Sequence, residues 1–141
     1  ALTRLADIVS RKFDVDYRDE PGAGAAGGLG FGLMSFCGAQ IRPGFEVVAG
    51  AVDLESKIKD VDVVITGEGS LDRQTLEGKT PAGVARLARK LGKPVHAIVG
   101  RATEDRKVRD IFDSVLELGG TIPQAAELLR ERARELGNTL K

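Results

Sequence analysis

The chain has 141 residues, 21 of them acidic and 21 basic, so its formal net charge is zero and nothing in it resembles the electrostatic footprint of a nucleic-acid or anionic-membrane binder. No apolar run approaches the ~20 residues needed to cross a bilayer, and 141 residues with 42% hydrophobic side chains suffice for one domain with its own core. The single cysteine, Cys37, excludes an internal disulfide and fits a reducing cytoplasm.

In chain order, Leu2, Leu5, Ala6, Ile8 and Val9 recur at helical spacing, which predicts an amphipathic helix over 2–13. Residues 14–21 are polar and extended, with Val15 and Tyr17 expected to pin them to the body. Residues 22–32 are rich in glycine and lead into a helix ending near 38. Gly28, Gly30 and Gly32 each cost a helix roughly 1 kcal/mol relative to alanine, so close packing or a ligand must compensate. Two readings stay open for this segment. Its amides at a helix start could hold an anion, or its glycines could simply let the helix sit flush against a neighbour, the reading that residue types alone favour. Neither a P-loop nor a dinucleotide fingerprint is present, because no Gly-Lys-Ser/Thr follows and no β-branched strand precedes. Cys37 lies in the apolar stretch Leu33-Met34-Ser35-Phe36-Cys37 and reads as a buried structural thiol rather than a nucleophile.

Phe45–Val52 and Leu54–Lys59 are two short helical stretches, with Asp53 as the expected cap of the second. Strands are expected at 62–67, 94–99 and 114–118. Helices are expected at 81–91, 104–111 and 122–139. The alternation of strand and helix argues for an α/β fold, a three-layer α/β/α arrangement of the Rossmann/flavodoxin-like kind with a parallel sheet and right-handed crossovers. His96, the one histidine, falls in the strand pattern Val95-His96-Ala97-Ile98 and reads as a core-edge residue. Three strands leave an open sheet edge, and self-association into a homodimer is one way to cover it. Thr103 is expected to cap a helix begun by Glu104 and Asp105. Arg101 occupies the carboxyl end of the 94–99 strand and could contact an anion, whereas Arg106, Lys107 and Arg109 read as a solvated helix face. The final 40 residues support the fold and carry little functional signal.

The densest chemistry lies at Asp62–Pro81. The β-branched run Val63-Val64-Ile65 reads as a parallel strand covered on both faces. It opens at Gly67 and Gly69, where a turn needs backbone freedom, into a loop bearing Glu68, Ser70, Asp72, Arg73, Gln74, Thr75, Glu77 and Lys79. Thr80 then caps a helix with Pro81 at its first position. Strand-to-helix loops commonly run about 2–6 residues, and this one is longer. In open α/β sheets ligands sit beyond the carboxyl ends of the strands, where this loop must lie.

Thr66-Gly67-Glu68-Gly69-Ser70-Leu71-Asp72-Arg73-Gln74-Thr75, followed by Gly78-Lys79-Thr80-Pro81-Ala82-Gly83-Val84-Ala85, resembles the carboxy-terminal signature of the type I glycerate kinase family. Pro21-Gly22-Ala23-Gly24-Ala25-Ala26-Gly27-Gly28-Leu29-Gly30-Phe31-Gly32 resembles the glycine-rich segment of the same family, a resemblance that implies a site wall at Gly27 and Gly28. Lys93-Pro94-Val95 leading into Ala97-Ile98-Val99-Gly100 also fits. The resemblance covers residues 5–100 well and the rest loosely, and Ser70 stands where many members carry arginine.

The resemblance implies an ATP- and Mg²⁺-dependent kinase that phosphorylates D-glycerate. Members are two to three times longer and have two α/β domains. The family's amino-terminal lysine loop and central glycine- and aspartate-containing motif have no counterpart here, and the chain opens inside a helical pattern without a starting Met. Residues 1–141 are therefore expected to form a single α/β domain, a carboxy-terminal portion of such a kinase that lacks turnover by itself. Phosphoryl transfer depends on positioning and on stabilising negative charge. Lys79 is the candidate for charge stabilisation. Glu68 and Asp72 are candidates for orienting substrate hydroxyls or holding Mg²⁺ through water, and either can take the proton of the attacking hydroxyl unless the remainder of the kinase supplies the base. Gln74 and Thr75 can fix hydroxyls, Thr66, Gly67 and Gly69 present backbone groups, and Ser70 completes the substrate set. Asp72 as a turn-forming residue and Lys79 as a solvated charge are the competing structural readings. A non-catalytic binding or self-assembling module, and a different small-acid kinase or phosphatase, are the alternatives.

Overall fold

In the computed structural model, which describes residues 1–140, the chain divides into two compact units, Ala1–Arg42 and the segment from Pro43 onward. In the first, helix α1 (Leu2–Phe13) turns Ala6 and Val9 inward. It ends where Asp14 takes a left-handed conformation, φ 55°. Phe31 and Met34 of helix α2 (Ala25–Cys37), together with Ala23, complete a small core, and Val15 and Tyr17 pack against it as the sequence predicts.

The glycine-rich entry to α2 departs from a regular helix. Ala26, Gly27 and Gly28 have φ of 49°, 70° and 95°, so the regular turns begin only at Leu29. Two of the glycines have a packing reason: a Cβ on Gly28 would run into the Leu2 side chain, and one on Gly30 into the Gly22 carbonyl oxygen. Cys37 is exposed, contrary to the buried thiol expected. Leu33, Phe36 and Cys37 lie on the side of α2 away from Phe31 and Met34, and Phe36 instead meets Phe13 edge to face at 5.7 Å between ring centroids.

The second unit is an α/β structure. Helices α3 (Gly44–Ala51) and α4 (Leu54–Lys59) precede strand β1 (Val64–Thr66). Then follow β2 (Ser70–Leu71), α5 (Arg73–Leu76), α6 (Thr80–Lys90), β3 (Val95–Val99), β4 (Arg101–Ala102), α7 (Arg106–Arg109), β5 (Ser114–Glu117), a 3₁₀ turn at Ile122–Gln124 and α8 (Ala125–Thr139). The main sheet has the order β1-β3-β5, all parallel, with Val64 opposite Val95 and Ala97 opposite Val115. β3 is central because Val95, Ala97 and Val99 alternate onto one face and are almost fully buried there. Ala82, Ala85 and Ala88 on α6 are fully buried, and Ala85 and Ala88 join the strand residues in one core with Ile58, Val64, Leu71, Val108 and Phe112.

Several local expectations change. β1 is an edge strand and Ile65 is 53% exposed, so the Val63–Ile65 run is covered on one face only. Asp53 precedes α4 in a left-handed conformation, φ 50°, and its side chain makes no capping hydrogen bond. Thr80 lies inside α6 rather than before it, with Lys79 in the cap position. α7 starts later than expected, because the Asp105 carboxylate accepts from Lys107 N and ends the preceding loop. Thr103 assists only by accepting from Asp105 N at 3.3 Å. His96 is half-buried, with Nδ1 2.8 Å from Ser114 Oγ across the β3–β5 ladder. No helix among the described residues is long and apolar enough to cross a membrane.

Candidate functional site

The parallel strands β1, β3 and β5 end on one side of the sheet, and the segments leaving those ends meet there. Gly67 and Gly100 make the meeting possible by close approach rather than by unusual torsions. Neither has a positive φ. A Cβ on Gly67 would collide with the Ile98 carbonyl oxygen, and one on Gly100 with the Gly69 carbonyl oxygen. The backbones then continue as a second, two-stranded parallel sheet, β2 with β4, absent from the sequence reading. Its flanks are tied by Gly100 N donating to Glu68 O at 3.1 Å, Arg101 N to Gly69 O at 3.2 Å and Thr103 N to Leu71 O at 2.9 Å.

Asp72 and Thr75 fold the next turn. The Asp72 carboxylate accepts from Gln74 N at 2.9 Å, while Asp72 N donates to Thr75 Oγ1 at 3.1 Å, a reciprocal cap on α5. Thr75 is fully buried, and its hydroxyl proton goes to Glu68 Oε1 at 2.6 Å. Both capacities of a buried hydroxyl are thereby satisfied, and Glu68 is held in place by a residue seven positions later. Lys79 Nζ lies 3.9 Å from Glu68 and 3.7 Å from Asp72. The three charged candidates therefore form one cluster, two half-buried carboxylates with an ammonium between them. The turn-forming reading of Asp72 is realised at the same time, because one carboxylate both caps α5 and faces Lys79.

Ser70 accepts from Arg101 Nε at 3.1 Å, so these two candidates sit together on β2 and β4. Thr66 ends β1 half-buried. Gln74 is exposed, and its side chain makes no hydrogen bond among the described residues. Gly27 and Gly28 belong to the 1–42 unit, where Gly27 is exposed and Gly28 buried.

A cleft of about 860 Å³ opens at Glu68, which lines it, whereas Asp72 and Lys79 do not. Glu68, Ser70 and Arg101 form its polar side, and Ile98, Leu118 and Leu129 its apolar side. Small-molecule sites occupy ~300–1,000 Å³ and combine an apolar lining with a few polar groups. Sequence reasoning missed the far wall, which runs from Leu118 through Gly119 and Gly120 to α8. The signal was available: a glycine pair leaves β5 at the same end of the sheet as Gly67 and Gly100, and both glycines have positive φ, 64° and 71°. Arg73, also outside the candidate set, donates to Asp105 at 2.7 Å and ties α5 to α7. That contact holds the Asp105 carboxyl below its ordinary range.

Glu117 ends β5 and latches onto β4. Its carboxylate accepts from Ala102 N at 2.9 Å and from the Arg109 guanidinium. The backbone hydrogen bond from Ala102, followed by Arg109, lowers its pKa against the opposing effect of burial. A carboxyl whose folded pKa lies below its unfolded one adds stability above the ordinary glutamate range and loses it as pH falls through the lowered value. The melting temperature of the wild type should exceed that of Glu117→Gln at neutral pH, and the gap should close in strong acid. A gap that stays constant with pH would show that the charge of Glu117 is not what the latch uses.

A model of the glycerate kinase family matches residues 1–141. The chain is 45% identical over 129 residues to a glycerate 2-kinase of Escherichia coli K12, covering 88% of this chain and 34% of that protein. It is 36% identical over 149 residues to a glycerate kinase of Bacillus subtilis 168, covering 99% of this chain and 39% of the relative. A crystal structure from Salmonella typhimurium LT2, described as a glycerate kinase 2, superposes with a TM-score of 0.76 at 42% identity, over 99% of this chain and 37% of that one. The chain thus spans between a third and two fifths of the length of these relatives.

Proposed function

The chain belongs to the glycerate kinase family, and from that premise we propose that residues 1–141 form the carboxy-terminal α/β portion of an ATP-dependent kinase that phosphorylates D-glycerate to phosphoglycerate. The observation that carries the reading is the Glu68–Lys79–Asp72 cluster past the carboxyl end of β1, whose Glu68 lines a cleft of ligand size. Lys79 stabilises the negative charge of a phosphoryl or carboxylate group. Glu68, fixed by Thr75, orients a substrate hydroxyl and can accept its proton. Asp72 holds the turn and shares the charge of Lys79. Ser70 and Arg101 give the cleft a hydroxyl and a guanidinium for an anionic end, and Gly69 borders the same space, while Thr66 and Gly67 lie just before it at the end of β1.

Mg²⁺ suits this donor set. Among the described residues no group of three or more His, Cys, Asp or Glu side chains is placed to hold a metal, but magnesium is commonly held by one or two carboxylates together with substrate phosphates, and Glu68 and Asp72 are the carboxylates available. Bound with ATP, the ion supplies charge neutralisation at the transferring phosphoryl group. We place the kinase in the cytoplasm, where a lone thiol stays reduced. The open edge of β1 is the surface through which a homodimer would form, or onto which further strands of the kinase would add.

The test is phosphoglycerate formation from D-glycerate and Mg-ATP by a full-length kinase containing this chain. Turnover there, with none from the 141-residue chain alone, is the expected result. Phosphorylation of other small hydroxy acids but not glycerate would overturn the substrate assignment in favour of a different small-acid kinase. The exposed Ile65 and unpaired edge of β1 favour a second reading, a self-assembling module without chemistry. Absence of turnover with every acid, in a protein that associates through β1, would support it.

A further inference from the structure

We infer that Glu117 and Arg109 are positioning residues that hold Arg101 in place to receive the anionic end of the ligand. The inference rests on the proposed function only in taking the cleft beside Glu68 as the ligand site. A pair of two-residue strands is too short to fix its own geometry, yet β4 carries Arg101, the one guanidinium lining that cleft. Its rigidity must come from elsewhere. On one flank, Arg101 N is tied to Gly69 O. On the other, the Glu117 carboxylate takes Ala102 N at 2.9 Å, and Arg109 Nε donates to Thr103 O at 2.8 Å. Arg109 closes the ring by pairing with Glu117. Three consecutive residues of the β4 segment are thus gripped by Gly69, just before β2, and by side chains of β5 and α7.

Arg101 spends its Nε hydrogen on Ser70. Its remaining four N–H donors make no hydrogen bond to protein among the described residues. Arg109 and Glu117 do not line the cleft, so their effect on a ligand must pass through β4. The half-exposed Glu117–Arg109 pair makes a modest contribution to stability, and the same two side chains hold the backbone of the β4 segment through Ala102 N and Thr103 O.

The experiment is isothermal titration of the 141-residue chain with two separate probes, inorganic pyrophosphate and D-glycerate, in wild type, Arg101→Ala, Glu117→Ala, Arg109→Gln and the Arg101→Ala/Glu117→Ala double variant. Loss of one charge-assisted contact should weaken binding about ten- to a hundredfold in Arg101→Ala, and Glu117→Ala or Arg109→Gln should reproduce much of that loss. The double variant should bind no more weakly than Arg101→Ala alone, the non-additivity expected of residues acting through one another. Glu117→Gln, which keeps an acceptor for Ala102 N, should recover part of the affinity. A loss confined to pyrophosphate makes Arg101 a phosphoryl contact, and one confined to glycerate a carboxylate contact. The inference is overturned by wild-type affinity in Glu117→Ala and Arg109→Gln, by full additivity with Arg101→Ala, or by no binding of either probe to folded wild type. Should Glu117→Ala not fold, Arg109→Gln carries the same cycle. Failure of the glycerate kinase reading itself would appear as absent turnover in the full-length protein and would leave the pyrophosphate result standing.

Discussion

Gly67→Ala should destabilise the chain by about 1–3 kcal/mol or more, the range for forcing extra volume into a packed interior, while Gly69→Ala, two residues away, should be neutral or slightly stabilising. At position 67 the new methyl group would meet the Ile98 carbonyl oxygen, a backbone atom of the central strand that cannot rotate aside. At position 69 a Cβ meets nothing within 4 Å. Neither glycine has a positive φ, so both substitutions gain ~0.4–1 kcal/mol from a stiffer unfolded chain, and only at 67 does the collision outweigh that gain. Denaturant midpoints at unchanged slope measure the difference directly. Equal midpoints for the two variants would mean that β1 and β3 are not in the contact described.

Lys79→Ala and Asp72→Ala should each abolish measurable D-glycerate binding to the 141-residue chain, a loss of about ten- to a hundredfold or more if one charge-assisted contact goes. Their effects on folding should diverge. Lys79 is 40% exposed and its two ion-pair distances, 3.7 and 3.9 Å, are long, so removing it costs at most ~1 kcal/mol. Asp72 also caps α5 through Gln74 N, and loss of such a cap costs ~0.5–2 kcal/mol. Titration calorimetry alongside thermal unfolding separates the roles. Unchanged glycerate affinity in a folded Lys79→Ala variant would reduce Lys79 to a solvated structural charge and remove the strongest support for the proposed site.

Where hydrophobic periodicity dominates, the sequence was a faithful guide. α1, α3, α4, the three main strands and α6 lie close to their expected positions, and α1, β3 and α6 do so by burying a regular apolar pattern. What periodicity cannot carry is pairing across the chain. β2 and β4 lie within polar stretches, and only the crossing at Gly67 and Gly100 makes them strands. Apolar residue types likewise do not say which side of a helix has a partner: Phe31 and Met34 do, while Leu33, Phe36 and Cys37 do not. In the site, the charged trio was legible from residue types on an unusually long loop. The role of Thr75 was not, since a hydroxyl expected to meet substrate turns out to be buried and spent on Glu68 and Asp72. The cleft wall at 118–129 was passed over because its residues are small or aliphatic and carry no chemistry of their own.

The pairing of β2 with β4 also sets an order of events during folding. Ser70 and Arg101 stand 31 positions apart, with α6 and the whole of β3 between them. Local contacts can form α5 and α6 early, but they cannot bring β2 to its partner. Closing that long loop costs entropy that is recovered only once β3 has docked beside β1. A nascent chain that has emerged only as far as residue 99 therefore carries the charged loop but lacks β4, α7, β5 and α8, and with them Arg101 and the far wall of the cleft. The charged cluster is local to residues 68–79, whereas the cleft beside Glu68 is closed only by segments that follow β3 in the chain.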